Sequence, residues 1–156
     1  NLQEAIRNAA FAVNSNGKRY SHQRRLKSST LEQAYVIMSD NIELIEDAQD
    51  FGQLIRRLEM MLENTEGIGE LYIYDTALRL GAYLGFLPQK VYLHAGARTG
   101  ARKLGLDYRA PAIEVSSVPE ELRGLAPHEI EDVLCIFKDD FDSLDVERLI
   151  QRSWCA

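Results

Sequence analysis

Three side chains in the middle of this chain have the chemistry that catalysis uses. His94 stands where a helix of small residues is expected to begin. Asp75 and Arg79 lie four positions apart, which places both on one face of a helix. A neutral imidazole can act as a general base, and so can a carboxylate that a guanidinium orients. His94 and Asp75 are therefore the candidate catalytic residues.

Each candidate also has a structural interpretation, which we take as the default. His94 is explained as a helix N-cap or as a buried histidine with a hydrogen-bond partner. The helix that carries Asp75 and Arg79 is apolar on nearly every side, so these two residues are expected to form an internal ion pair. The catalytic roles stay open as alternatives.

Basic residues form two clusters in a chain whose net charge is −6. The net charge argues against non-specific coating of nucleic acid, but a local cluster of Lys and Arg can still bind phosphate. The first cluster lies in a polar loop over about residues 14–29 and contains Lys18, Arg19, Arg24, Arg25 and Lys27, with His22 among them. The second contains Arg98, Arg102, Lys103 and Arg109. The first is interpreted either as a phosphate-binding arm or as a solvated loop.

Apolar residues recur at helical spacing through most of the chain, and no pair of alternating strands is visible. Ser29 is expected to cap the second helix in a capping box with Glu32, and Asp50 to cap the third. Pro127 is expected to be the first residue of the last major helix. The predicted helices cover about residues 2–13, 29–48 with a bend near Ser39, 51–62, 67–85, 95–104, 127–141 and 145–152.

Two of these helices carry patterns that predict how they pack. Gly96 and Gly100 lie one turn apart, a spacing that lets another helix approach closely. The last major helix has the cleanest apolar stripe in the chain, and we expect Phe137→Ala in that stripe to cost about 3 to 5 kcal/mol. The stripe consists of Ile130, Val133, Leu134, Phe137 and Phe141. The fold class predicted from these patterns is all-α, a single compact multi-helix domain over residues 1–156.

Composition narrows the class of protein further. Hydrophobic residues at 46% and charged residues at 27% are typical of a globular domain. No apolar run approaches the roughly 18 to 20 residues that a membrane span needs, and the start lacks the layout of a secretion signal. Cys135 and Cys155 are too few for a disulfide framework and have no neighbours at metal-ligand spacing. We therefore expect reduced thiols and a cytoplasmic protein without a metal site, a cofactor or a membrane partner.

Residues 60–106 resemble the central part of the helix-hairpin-helix DNA glycosylase superfamily. In that family a helix, a Gly-hydrophobic-Gly turn and a second helix with a Thr-Ala signature approach DNA, and amides at the helix N-terminus hold a phosphate. Here Gly67-Ile68-Gly69 corresponds to the turn and Thr76-Ala77 to the signature. The family continues with a short segment that ends in a catalytic Asp, and with a helix that ends Arg/Lys-Leu-Gly-Leu. The matching segments here are 91–94 and 102–106.

The chain departs from the family at the residues that perform base excision. His94 stands in the position of the catalytic Asp. Glu70 and Leu71 stand where bifunctional members carry a nucleophilic Lys, and about one extra helical turn precedes Thr76. Base excision needs a carboxylate, so the resemblance implies a divergent, non-catalytic helix-hairpin-helix-like protein that contacts nucleic-acid backbone. The implied contact residues are Gly67, Gly69, Lys18, Arg19, Arg24, Arg25, Lys27, Arg98 and Arg102.

Two other functions stay open, and each has its own structural requirement. The acidic balance and Trp154 favour a helical protein-interaction or regulatory module, which needs a large exposed apolar patch. An enzyme that uses His94 needs that residue beside a carboxylate within hydrogen-bond reach, with Asp75 as one candidate. Nucleic-acid binding requires the hairpin and the basic clusters to share one face.

Overall fold

Helices dominate the secondary structure, which confirms the predicted fold class. A computed structural model of the chain describes residues 1–143. Helices make up 60% of the structure, and the one sheet in the described residues has two strands. The main elements are α1 Leu2–Ala10, α2 Ser28–Asp40, α3 Ile42–Glu46, α4 Phe51–Leu62, α5 Glu70–Leu84, β1 Val91–Tyr92, α6 Ala95–Lys103, β2 Ala112–Ile113 and α7 Pro127–Ile136. The helix predicted at residues 145–152, Trp154 and Cys155 lie outside the described residues.

The chain divides into two compact units, unit 1 at Asn1–Leu87 and unit 2 at Pro88–Ala156. Helices α1 to α5 belong to unit 1, and the two strands with α6 and α7 belong to unit 2. Each unit has its own buried apolar residues. The single-domain organisation over residues 1–156 stays a prediction.

In unit 1 the central helix is α5, as its apolar composition predicts. It packs against α1 and α4, and α2 packs against the same two helices. The Tyr72 hydroxyl donates a hydrogen bond of 2.7 Å to the carbonyl of Ala10 and so ties α5 to the end of α1. Burial raises the pKa of Tyr72 to about 12. The fully buried side chains include Ile6, Leu31, Met38, Phe51, Leu54, Leu58 and Leu80.

One of the two predicted helix caps in unit 1 is confirmed and the other is wrong. The Asp50 side chain accepts a hydrogen bond from the amide of Gln53 at the start of α4, as expected. In contrast, α2 begins at Ser28 and no side chain caps it, so the capping box headed by Ser29 does not form. The first turn of α2 is tied down instead by Thr30, whose hydroxyl donates to the carbonyl of Glu66. A tertiary contact therefore replaces the local one.

The bend predicted near Ser39 is a break between two helices. Helix α2 ends at Asp40, and α3 begins at Ile42. Between them the Asn41 side chain donates a 2.8 Å hydrogen bond back to the carbonyl of Ile37, which occupies a carbonyl at the end of α2. A polar side chain that binds its own helix end is a common way to stop a helix.

In unit 2 the close approach of α6 and α7 depends on two glycines. A Cβ atom added at Gly100 would overlap the backbone carbonyl of Leu134, and one added at Gly96 would overlap the thiol of Cys135. Only a residue without a side chain allows the two helices to lie this close. The short strands pair antiparallel beside them, with Val91 opposite Ile113. Strands of two residues are too short to show the alternating pattern of a strand in the sequence.

The apolar stripe of the last helix is shorter than predicted. Helix α7 begins at Pro127, as expected, and buries Ile130 and Leu134. It ends at Ile136, and Phe137 follows with 48% of its surface exposed, so the prediction that Phe137 is a core residue is wrong. Phe137 is the C-cap residue, and its amide still donates to the carbonyl of Val133, but its side chain remains half exposed. Phe141 lies in the next short helical turn and is buried.

Truncation of two side chains in α7 and just after it tests this boundary of the core. Leu134→Ala should lower the free energy of unfolding by about 3 kcal/mol, because Leu134 is fully buried. Phe137→Ala should cost about 1 kcal/mol or less, because roughly half of the side chain already contacts water. Urea unfolding of both variants measures the difference. A loss at Phe137 as large as that at Leu134 would place Phe137 in the core.

Candidate functional site

The turn between α4 and α5 has the exposed glycines that phosphate contact requires. Gly67 adopts φ +86°, a left-handed conformation that favours glycine, and Gly69 is the N-cap residue of α5. Both are exposed, and a Cβ atom at Gly69 would meet no atom within 4 Å. The backbone at the start of α5 is therefore open to a ligand. Thr76 and Ala77 lie inside α5 and are fully buried.

The first turn of α2, which directly follows the basic loop, lies against this turn. The hydroxyl of Thr30 donates a 3.2 Å hydrogen bond to the carbonyl of Glu66. A Cβ atom added at Gly67 would lie 3.5 Å from the hydroxyl oxygen of Thr30. Lys27 is the residue just before α2 and is exposed. Unit 1 thus brings the hairpin turn next to the end of the basic loop, a juxtaposition that residue spacing along the chain does not reveal.

Within the basic loop, most cations face solvent and one helps to shape the loop. Lys18, Arg24 and Arg25 are exposed. Arg19 is partly buried, and its Nη1 donates a 3.1 Å hydrogen bond to the carbonyl of Leu26. The predicted contact residue Arg19 therefore has a structural role within the loop.

Acidic side chains surround the hairpin turn and oppose an anion there. Glu63, Glu66 and Glu70 are exposed on and beside the turn. Burial raises the pKa of Glu59, and the nearby charge of Glu70 raises it further, while Arg56 lowers it. The turn therefore combines an open helix N-terminus with negative side chains, and the two affect a phosphate in opposite directions.

Asp75 and Arg79 form the internal ion pair that their spacing predicts. Nη2 of Arg79 lies 3.6 Å from Oδ2 of Asp75, and the two side chains are 18% and 14% exposed. The same carboxylate oxygen accepts a 2.6 Å hydrogen bond from Nε2 of Gln23, and the Arg79 guanidinium lies 4.6 Å from the ring centre of Tyr20. Asp75 thus binds the basic loop. Its catalytic role stays a prediction.

In unit 2 two of the four residues of the second basic cluster, Arg98 and Lys103, are engaged in contacts within the fold. The guanidinium of Arg98 donates to the carbonyls of Leu93 and Tyr108 at 2.7 and 2.6 Å, and also to that of Ala110. Lys103 lies 2.5 Å from the carboxylate of Asp142. Of the two members predicted to contact nucleic acid, Arg98 is built into the loop that follows α6, whereas Arg102 is exposed.

His94 and Glu131 form a buried polar pair in unit 2. Nε2 of His94 lies 2.6 Å from Oε1 of Glu131, and the side chains are only 4% and 6% exposed. His94 is the residue before α6 but makes no side-chain capping bond, so its imidazole turns toward α7 instead. A carboxylate within reach is what a histidine base requires, but burial of both groups favours a structural pair.

Sequence reasoning missed Glu131 as the partner of His94. Glu131 lies beside the apolar stripe of α7, three residues before Leu134, so a helical wheel places it next to the buried face. This position next to the buried face indicates that the side chain of Glu131 could be buried. Nothing in the sequence indicates that His94, 37 residues earlier, would face it.

Other candidate sites in the described residues are few. No group of three or more His, Cys, Asp or Glu side chains there is placed to hold a metal ion. None of the helices described is long and apolar enough to cross a membrane. Cys135 is not part of a disulfide within the described residues. Exposed apolar side chains do occur, and Ile136 and Phe137 are consecutive at the end of α7 with 65% and 48% exposure.

Comparison with protein-family models, curated proteins and solved structures finds no match to this chain. The similarity to the helix-hairpin-helix glycosylases rests on the residues alone and stays a resemblance.

Removal of one partner tests whether the His94 and Glu131 pair is structural. His94→Ala should lower the free energy of unfolding by about 3 kcal/mol or more, because it leaves the Glu131 carboxylate buried without the imidazole. His94→Leu combined with Glu131→Met should cost less, since no buried charge is then left unpaired. Chemical denaturation measures both.

The matched control is Glu114→Gln, which alters the pair that Glu114 forms with Lys90 at 2.6 Å on the surface of the same unit. That pair is more than half exposed and should contribute little to stability. A His94→Ala variant as stable as this control would show that the buried contact does not support the fold.

Proposed function

We propose that unit 1 contacts the phosphate backbone of nucleic acid, through the α4–α5 turn and the basic loop beside it. The observation that carries the proposal is the hydrogen bond from Thr30 to Glu66 beside Gly67, which joins the first turn of α2, just after the basic loop, to the glycine turn. A cationic segment and an open helix N-terminus then lie close together. Both favour a bound phosphate.

The charge pattern of the loop supports the same proposal. Residues 14–31 contain five Lys and Arg residues and no Asp or Glu. The four cations that remain at the surface are Lys18, Arg24, Arg25 and Lys27. Contacts of this kind read no base sequence, so the expected binding is sequence-independent. The proposed role needs no catalytic residue.

Glu66 and Glu70 limit the affinity. They carry the same sign as phosphate and lie at the turn that the phosphate would approach. The overall charge of −6 adds a weaker, screened repulsion. We therefore expect binding in the range of non-specific complexes, with a Kd of about 1 to 100 µM at physiological salt.

A salt titration of binding tests the basic loop. The logarithm of the binding constant should fall linearly with the logarithm of the salt concentration. The double variant Arg24→Ala with Arg25→Ala should flatten this slope by about two units, because each lost phosphate contact reduces the slope by about 0.9. Fluorescence anisotropy with a short labelled duplex measures the slope. Arg7→Ala with Lys90→Ala removes the same charge elsewhere and should leave the slope unchanged. A wild-type chain that forms no complex at low salt and tens of micromolar protein would end the proposal.

Neutralisation of the acidic turn tests whether phosphate approaches the glycines. Glu66→Gln with Glu70→Gln should tighten binding about fivefold, since each exposed charge interaction contributes up to roughly 0.5 kcal/mol. Glu43→Gln with Glu46→Gln makes the same change on α3 and should have a smaller effect. Equal effects of the two pairs would show that only the overall charge matters and that the turn is not a contact.

The second candidate function is a helical protein-interaction module. It is favoured by the consecutive exposed side chains of Ile136 and Phe137 at the end of α7. This function takes first place if the wild-type chain fails to bind nucleic acid at low salt, because it requires none of the basic residues.

A further inference from the structure

The basic loop is held in place at several points, although its polar composition is typical of a mobile segment. The loop begins with a turn in which the Asn14 side chain accepts hydrogen bonds from the amides of Asn16 and Lys18. An isolated β-bridge joins Val13 to Arg19, and the amide of Tyr20 donates to the carbonyl of Ala12. These bonds order the first half of the loop.

The second half of the loop is anchored on α5 by two side chains. Gln23 is only 3% exposed, and its Nε2 donates a 2.6 Å hydrogen bond to Oδ2 of Asp75. Tyr20 lies under the guanidinium of Arg79 at 4.6 Å. The two α5 residues are joined by their own ion pair, so the anchor is one connected group. We call these four residues the clasp.

The clasp lies directly beside the cations of the proposed function. Tyr20 precedes a short helical turn at Ser21–Gln23, of which Gln23 is the last residue, and Arg24 and Arg25 follow immediately, both exposed. A buried side chain therefore adjoins two exposed cations in the chain. Because the side chain of Gln23 is fixed on α5, it also fixes the backbone from which Arg24 and Arg25 continue.

We propose that Asp75 and Arg79 are positioning residues that present Arg24 and Arg25 to nucleic-acid phosphates in a pre-ordered loop. This inference rests on the proposed function, since it assigns a role to residues that touch no phosphate. A loop that is ordered before binding does not lose its conformational entropy on binding, so its affinity is higher than that of the same charges on a mobile chain. The number of phosphates contacted is the same in both cases.

The test separates order from charge. Gln23→Ala removes the buried hydrogen-bond donor and leaves every charge in place. Arg79→Lys also keeps the charge but removes the planar group that stacks on Tyr20. Gln33→Ala, on an exposed position of α2, is the matched control. All four proteins, wild type included, are compared by two measurements.

The first measurement is limited proteolysis with trypsin, which requires no nucleic acid. Cleavage after Arg24 and Arg25 should be about tenfold faster in Gln23→Ala and Arg79→Lys than in wild type, because local opening governs the rate. Gln33→Ala should match wild type. Cleavage after Arg56 in α4 is the internal standard, and it should stay slow unless the whole unit unfolds. A rise at Arg56 that equals the rise at Arg24 would mean general destabilisation and would overturn the clasp.

The second measurement is the affinity for a labelled duplex over a range of salt concentrations. Both clasp variants should bind about fivefold more weakly with an unchanged salt slope, whereas loss of Arg24 and Arg25 changes the slope itself. Faster cleavage with unchanged affinity would overturn the positioning role and leave the clasp purely structural. Cleavage after Arg24 and Arg25 at the wild-type rate in both variants would show that the clasp does not hold the loop, and would overturn the proposal. Absence of any complex with wild type would overturn the proposed function, and the positioning role with it.

Discussion

Burial of a carboxylate inside a helical unit costs free energy unless other groups replace the water that it loses. In unit 1 this constraint falls on Asp75, which lies on the central helix α5 and is mostly buried. Its partners are Arg79, one turn along the same helix, and Gln23, from a loop 52 residues away. The need to satisfy one charge thus fixes a polar loop that has almost no apolar side chains to hold it.

The same constraint recurs in unit 2 with a different solution. Glu131 is buried in α7, and its partner is the imidazole of His94 at the start of α6. The pair lies between helices that are already brought close by Gly96 and Gly100. Glycines set the distance between the helices, and the polar pair adds a requirement for one particular alignment of them. A buried polar contact selects among packings that apolar side chains alone would tolerate.

The cations in and around the basic loop of unit 1 fall into two groups, those with contacts inside the fold and those that face solvent. Cations that take part in the fold, such as Arg19 and Arg79, lie at the base of the basic loop, and those without a structural task face solvent. The glycine turn adds an open helix end, but it carries glutamates. A surface of this kind suits weak, reversible contact with a polyanion more than tight recognition. The resemblance to helix-hairpin-helix proteins concerns the glycine turn, whereas the exposed cations lie in the basic loop.

Local sequence patterns predict the features that depend on neighbours within one helical turn. The positions of α4 to α6, the Asp50 cap, Pro127 at the start of α7 and the close approach at Gly100 follow from local spacing and backbone chemistry. The Asp75 and Arg79 ion pair belongs to the same group, because its members are four residues apart on one helix.

The contacts that join distant segments depend on tertiary packing, and local sequence patterns do not predict them. Thr30 binds the hairpin turn in place of the capping box expected at Ser29, because a carbonyl from another segment lies within its reach. Phe137 continues the apolar stripe of α7 but is half exposed, whereas Phe141 in the next short helical turn is buried. Gln23 and Glu131 became site residues only through partners that packing brings to them. Helical periodicity predicts which face of a helix is buried, but which polar group lies opposite is determined by the packing of the whole unit.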